Sequence, residues 1–133
     1  MFRRIALLAI AALAALTVTA TPAHADGGAD TTGDNDGTVW FQSYGEHFTV
    51  NDWSADGHGV RGRIEVFGRD PETGQRAWLA YDTVYNGNGL DGAAEHRNYS
   101  ITDSTPVRFD VCLVDGSDDT TGERCSGWEY SLA

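Results

Sequence analysis

The stretch NDWSADGHGVRGRIEVFG places two carboxylates and an imidazole close together, on Asp52, Asp56 and His58. Such a group could hold a cation, and an acidic pair such as Asp52 and Asp56 could serve a glycosidase. A calcium loop, however, needs a bidentate Glu at its twelfth position, and Arg63 stands there. The spacing therefore favours a tight turn before a strand, with Asp52 and Ser54 bonding to the local backbone.

A second acidic cluster lies near the C-terminus, in the segment DGSDDTTGE. Its members are Asp115, Asp118, Asp119 and Glu123. They supply enough oxygen atoms for a weak extracellular calcium site. Charge runs of this kind more often only solvate a loop, so we expect no cofactor beyond such a weakly bound calcium ion.

Four tryptophans are many for a chain of 133 residues. Trp40 and Trp78 each stand next to an apolar residue, so in a strand each indole would point to the face opposite that neighbour. Trp53 lies in a loop beside acidic residues. Exposed aromatic rings near carboxylates suit sugar stacking or a protein interface, whereas burial on both faces of a central strand is the alternative. The candidate binding residues are Trp40, Asp52, Trp53, Asp56, His58 and Trp78.

The first 25 residues have the pattern of a secretory signal peptide. A basic MFRR is followed by the apolar run IALLAIAALAALTV, and the segment ends in Ala-His-Ala, which predicts cleavage after Ala25. The apolar run is too short and too rich in alanine for a membrane-spanning helix. We therefore expect a secreted, extracellular protein that has no membrane association once the signal is removed.

The chain that remains after this cleavage is strongly acidic. Seven arginines set against twenty Asp and Glu residues give a net charge of −13, and there is no lysine. A surface of this sign repels phosphate backbones and anionic membranes, so nucleic-acid binding is disfavoured. The expected partner is an extracellular protein or glycan, and we expect the protein to be a monomer.

Strand patterns dominate the rest of the chain. Residues 26–37 are rich in Gly and Asp and are predicted to be a disordered acidic leader, followed by a single β domain over residues 38–133. In GVRGRIEVFG, Val60, Ile64 and Val66 alternate with charged residues, as in a half-buried strand. About seven such strands separated by turns predict an all-β, antiparallel β-sandwich with an immunoglobulin-like layout; a small β-barrel is the alternative.

Two cysteines, Cys112 and Cys125, are expected to form a disulfide in an oxidising compartment. Their positions suit a cross-strand bridge on the outer face of a C-terminal hairpin. Cys112 lies between apolar residues that are expected to point inward, and Cys125 has the parity opposite to that of Trp128, so both cysteines are expected to point outward. If the cysteines oppose each other directly, the register pairs Phe109 with Trp128, Val107 with Tyr130, and Arg108 with Glu129. Trp128 would then lie in the core.

The loop WSADGHGV, the turn YNGNG and the hairpin VRFDVCLVDG…C together resemble a group of short exported actinobacterial β-sandwich-like proteins of uncharacterised function. The resemblance covers most of residues 40–130. It implies the sandwich and the disulfide, and it carries no catalytic residue across.

A second, local resemblance is to small secreted guanyl-specific ribonucleases. GEHFTV followed by GVRGRIEVFG is similar to their Glu-bearing and Arg-bearing strands. The resemblance implies Glu46 as the base, Arg61 or Arg63 as the phosphate ligand, and His96 as the acid. The sequence departs from that family because it lacks the packing helix and the terminal His motif, and Glu46 is one residue from the matching position.

The sequence thus predicts a non-catalytic secreted module that binds a protein or glycan, an inhibitor of an extracellular hydrolase being one version. An enzyme is less favoured. The enzymatic alternative is a small secreted hydrolase, either ribonuclease-like or a glycosidase. A calcium-stabilised structural module is the third hypothesis.

Overall fold

A computed structural model describes residues 25–133, so the signal segment predicted for residues 1–25 lies outside the described residues except for Ala25. The described chain forms eight strands and no helix. Their bounds are β1 Gly27–Asp30, β2 Gly37–Gln42, β3 His47–Asp52, β4 Gly59–Arg69, β5 Arg76–Asn86, β6 Glu95–Asn98, β7 Pro106–Val114 and β8 Glu129–Leu132. Within residues 25–133 there is accordingly no helix with the length and apolarity to cross a membrane.

The strands form two antiparallel sheets of four strands each. The first sheet has the order β1-β2-β3-β6, and the second has the order β5-β4-β7-β8. The predicted β-sandwich with one disulfide is therefore confirmed, with eight strands where about seven were expected.

The core lies between the sheets and is built from the alternating residues of the long strands. Val60 and Ile64 of β4 and Phe109 of β7 point inward, as their period of two predicts, and all three are buried. The ring of Phe109 packs against those of Phe41 and Phe48 from the first sheet, with ring centroids 6.0 and 6.1 Å apart. These contacts join the two layers.

The segment predicted to be a disordered leader, residues 26–37, instead contains β1 and the start of β2. β1 pairs along its length with β2, from Gly27 opposite Phe41 to Asp30 opposite Thr38. Its one inward apolar side chain, Ala29, is buried. The prediction was wrong because β1 is ordered by its backbone pairing with β2. This pairing does not require an alternation of apolar residues, so the sequence of β1 shows no strand pattern.

The C-terminal hairpin has the predicted disulfide but not the predicted register. Phe109 lies opposite Glu129, and Arg108 lies opposite Tyr130, one residue away from the expected pairs. The slip occurs in the irregular segment that precedes β8, where Arg124 and Gly127 both have positive φ. Because a shift of one residue reverses the faces of a strand, Trp128 and Tyr130 point outward and Trp128 does not join the core.

The two sheets are also joined along their edges. On one side, Ala25 forms a β-bridge with Leu132, which brings the two ends of the described chain together. On the other side, the Tyr99 hydroxyl donates a hydrogen bond of 2.9 Å to Asp82 of β5, and burial with this bond raises the pKa of Tyr99. The Asn86 side-chain amide donates to the backbone carbonyl of Val50 at 2.9 Å. Polar contacts thus close the edge where β5 and β6 meet.

Candidate functional site

A pocket of about 310 Å³ opens at one end of the sandwich, between the β3–β4 loop and the segment that follows β5. Asp52 and His58 line one side, and Tyr85 and Asn88 line the other. The Tyr85 side chain packs against two glycines. A Cβ atom at Gly59 would lie 2.4 Å from a ring carbon of Tyr85, and a Cβ atom at Gly87 would lie 2.4 Å from its hydroxyl oxygen. The segment NDWSADGHG therefore forms one wall of a polar pocket.

Asp52 joins the two segments that form this pocket. Its carboxylate accepts the backbone N–H of Ser54 at 3.2 Å and that of Gly89 at 3.0 Å. Only 5% of the residue is exposed, and this burial raises the pKa of Asp52 although both hydrogen bonds oppose the shift. Asp56 does not line the pocket, because its carboxylate turns back to accept the His58 backbone N–H at 2.9 Å. The two acids therefore have separate structural roles, and the turn predicted from their spacing is present.

His58 connects the pocket to the loop between β7 and β8. Its Nδ1 lies 2.7 Å from Asp115 Oδ1, and its Nε2 lies 3.8 Å from Glu123 Oε1. The hydrogen bond to Asp115 raises the pKa of His58 above its ordinary value. Two carboxylates thus face the two nitrogens of one imidazole, which favours the imidazolium form.

The acidic loop proposed as a calcium site uses its carboxylates within the loop. Asp119 accepts the backbone N–H of Asp115 at 2.9 Å and both the N–H and the hydroxyl of Thr121. These bonds, with that from Asp115 first, lower the pKa of Asp119. Asp115 is bonded to His58, and no group of three or more His, Cys, Asp or Glu side chains within residues 25–133 could hold a metal ion. The calcium site over Asp115, Asp118, Asp119 and Glu123 has no support in this geometry.

Trp40 and Trp53 both lie on the outer face of the first sheet. Trp40 is 51% exposed, and Trp53 is 48% exposed. The Trp53 Nε1 donates a hydrogen bond of 3.0 Å to the hydroxyl of Thr38, which lies two residues before Trp40 on the same face of β2. We call Trp40, Trp53 and Thr38 the tryptophan platform.

Polar side chains surround the tryptophan platform in rows across the first sheet. One row runs from Asp30 through Thr38 to Asn51, whose amide donates to the Thr38 hydroxyl at 3.3 Å. The next row runs from Trp40 through Thr49 to His96, and these last two side chains are 3.0 Å apart. The exposed indoles therefore lie among hydroxyl, amide, imidazole and carboxylate groups that can bond to a ligand.

Trp78 belongs to a different surface, the outer face of the second sheet. There Arg108 lies between two indoles, with its guanidinium carbon 4.7 Å from the ring centre of Trp78 and 4.3 Å from that of Trp128. Arg108 also forms an ion pair with Glu65 across β4 and β7, and Tyr130 packs on Trp78. Arginine side chains of the protein itself thus pack on these rings. Trp78 lies on the opposite sheet from Trp40 and Trp53, the other two tryptophans among the predicted binding residues.

The residues matched to a ribonuclease site do not come together. Arg61 and Arg63 lie on the outer face of the second sheet, whereas His96 lies on the outer face of the first sheet beside Thr49. Glu46 lies in the turn between β2 and β3 with a φ of 45°. The whole sandwich separates the predicted acid from the predicted phosphate ligands, so these residues cannot form one active site.

Two features of the platform were missed by sequence reasoning. The Trp40 ring packs directly on Gly28, since a Cβ atom at Gly28 would lie 2.6 Å from Trp40 Cε3. Thr38 holds the Trp53 ring through its hydroxyl. Neither residue carries a signal of its own, and both become visible only once β1, β2 and β3 are paired.

Comparisons with protein-family models, curated proteins and solved structures find no match to this chain.

Proposed function

We propose that the protein is a non-catalytic binding module that recognises glycans through the tryptophan platform. The observation that carries the proposal is that two half-exposed indoles, Trp40 and Trp53, lie next to Thr38 on one face of a sheet. Indole rings offer a large apolar face with a negative centre, onto which the C–H groups of a sugar ring can pack. Isolated exposed apolar residues need no explanation, but two fixed indoles on one face do.

The rigidity of both rings supports this proposal. The Trp53 ring is held by its hydrogen bond to Thr38, and the Trp40 ring lies against Gly28, where there is no side chain to displace it. Rings that are already ordered lose little conformational entropy when a ligand binds. Trp40 itself is placed on a paired strand, and sites on strands are held more firmly than sites on mobile loops.

The charge of the protein supports a neutral or cationic glycan as the ligand. Seven arginines and twenty acidic residues after residue 25 give a net charge of −13, and Asp30 lies in the row of Thr38 and Asn51. Acidic glycans would be repelled by this field, whereas neutral hydroxyl groups can bond to the amide of Asn51 and the carboxylate of Asp30. Neutral or amino-sugar polysaccharides are therefore the expected class.

Tryptophan fluorescence titration against a panel of neutral, amino-sugar and acidic polysaccharides tests this proposal. We expect a neutral or amino-sugar member to change the emission and to bind saturably. Trp40→Ala and Trp53→Ala should each weaken that binding by at least about ten-fold, as central aromatic residues of an interface do. Binding to the two variants can be followed by calorimetry, because each of them lacks one reporting indole.

Tyr130→Ala is the matched control, since Tyr130 is also an exposed aromatic residue but lies on the second sheet. Its affinity should equal that of the wild type. If every polysaccharide leaves the emission unchanged, the glycan proposal fails. Retention of a protein from culture medium by wild type but not by Trp40→Ala would then assign the platform to a protein partner.

A further inference from the structure

Arg61 carries a buried positive charge that the protein does not neutralise by contact. The residue is 7% exposed and lies on the outer face of β4 opposite Cys112. Its Nη1 and Nη2 donate to the backbone carbonyls of Asp119 and Thr121 at 2.8 and 3.3 Å. Within residues 25–133, Arg61 forms no ion pair, and its Nε is a buried donor without a hydrogen-bond partner. Buried charges are normally paired, so this guanidinium is an exception that requires an explanation.

A cavity of about 270 Å³ adjoins this guanidinium on the outer face of the second sheet. Its lining residues are Arg61, Arg63, Thr83, Ser117, Asp119 and Thr120. Arg63 donates through Nε and Nη2 to Asp110, and among the described residues its Nη1 has no partner. The cavity therefore joins two guanidinium groups to hydroxyls from β5 and from the loop between β7 and β8.

One carboxylate, that of Asp119, also lines the cavity, but its oxygen atoms are already engaged. They accept N–H groups from Asp115 and Thr121 and the Thr121 hydroxyl. Its charge is thus partly satisfied by its own loop. Two arginines make a metal cation an unsuitable occupant, whereas guanidinium and hydroxyl donors are the groups that bind oxyanions.

We propose that this cavity is a binding site for a sulfate or phosphate group, either as the free ion or as a monoester. Such a group is tetrahedral and offers acceptor oxygens in several directions, which matches donors placed on both β strands and the covering loop. It would also place a negative charge in contact with Arg61, which the Asp119 carboxylate influences electrostatically without forming an ion pair. The site lies on the opposite sheet from the tryptophan platform, so this proposal and the glycan proposal can fail separately.

Titration with sodium sulfate and sodium phosphate, followed by ¹H–¹⁵N NMR at constant ionic strength, tests the site. We expect saturable shifts for residues around Arg61 and Thr83. Thr83→Val removes one hydroxyl donor from an exposed strand position and should weaken binding by about ten-fold, the effect of losing one hydrogen bond to a charged group. Thr102→Val, a matched change at an exposed loop position, should leave the affinity unchanged.

Arg61→Lys retains the charge but loses the planar donor group, and it should weaken sulfate binding while circular dichroism shows whether the β fold persists. Tighter binding of a sugar sulfate or sugar phosphate than of the free ions would identify an esterified group as the ligand; equal affinities would identify the free ion. Both results support the site. Absence of saturable shifts, or an unchanged dissociation constant in Thr83→Val, would overturn it.

Discussion

The imidazole of His58 is bonded to the carboxylate of Asp115, with 2.7 Å between Nδ1 and Oδ1. This contact joins the loop that lines the end pocket to the loop between β7 and β8. It raises the pKa of His58 above its ordinary value of 6.5. Because the folded-state pKa exceeds the unfolded value, the stabilisation is complete below pH 6.5 and is lost as pH rises through the folded-state pKa.

Asp115→Asn should therefore lower the pKa of His58 and reduce stability more below pH 6.5 than at a pH above the folded-state pKa, where the imidazole is neutral in both states. NMR titration of the His58 ring and thermal unfolding at the two pH values measure these effects. Asp118→Asn, in the same loop, should leave the His58 titration unchanged because Asp118 does not contact His58. Identical His58 titrations in wild type and Asp115→Asn would refute the contact.

Gly28→Ala should displace the Trp40 ring, because the added Cβ would lie 2.6 Å from Cε3 of that ring. The indole N–H resonance of Trp40 should shift while that of Trp53 stays in place. Gly68→Ala is the matched control, since its Cβ would meet only Leu79 Cδ1 at 3.5 Å, an ordinary contact. An unmoved Trp40 resonance in Gly28→Ala would mean that the ring does not rest on this glycine.

Arg108→Lys should destabilise the protein by about 1–2 kcal/mol, because an ammonium group cannot stack on the faces of Trp78 and Trp128 as a planar guanidinium does. Lysine also replaces the two guanidinium donors to Glu65 by one ammonium group, so the expected loss includes both the stacking and part of the ion pair. Urea unfolding gives the difference in free energy. Arg69→Lys, at an exposed end of β4, should stay within about 0.5 kcal/mol of the wild type, and equal losses in both variants would contradict the stacked arrangement.

Removing the disulfide between Cys112 and Cys125, by Cys→Ala at both positions, should lower the free energy of unfolding by about 3 kcal/mol, since the bridge restricts the unfolded chain. Denaturant unfolding measures the loss, and reduction of the wild type should produce a similar one. Peptide mapping of the oxidised protein provides the direct check. Free thiols at both positions would show that the bridge does not form.

The long central strands could be predicted from the sequence because their inward residues alternate without interruption. Val60 and Ile64 in β4 and Phe109 in β7 lie on the face that period two assigns to them. The same parity put Trp40 on the face opposite Phe41 but left open whether that face would be covered, and in the structure Trp40 is 51% exposed. Where apolar and polar residues alternate along a strand, their order in the sequence indicates which face is buried.

The remaining features depend on pairing between distant segments. β1 offers only Ala29 as an inward apolar side chain, so its order comes from its backbone bonds to β2. The register of β8 depends on a positive φ at Arg124, a conformation that nothing in a non-glycine residue predicts. The hydrogen bond from Trp53 to Thr38, which lies on the strand of Trp40, likewise requires the pairing of β2 with β3.

The bridge between Ala25 and Leu132 joins the first described residue to β8, so this edge of the sandwich can close only when both segments are present. A nascent chain in which residues 129–132 have not yet been made has no β8, so one edge of the sandwich stays open until they are made. If the chain is exported as its first residues predict, this edge can close only after β8 has left the translocation channel. The delay would keep residues 25–132 unfolded enough to pass through the channel.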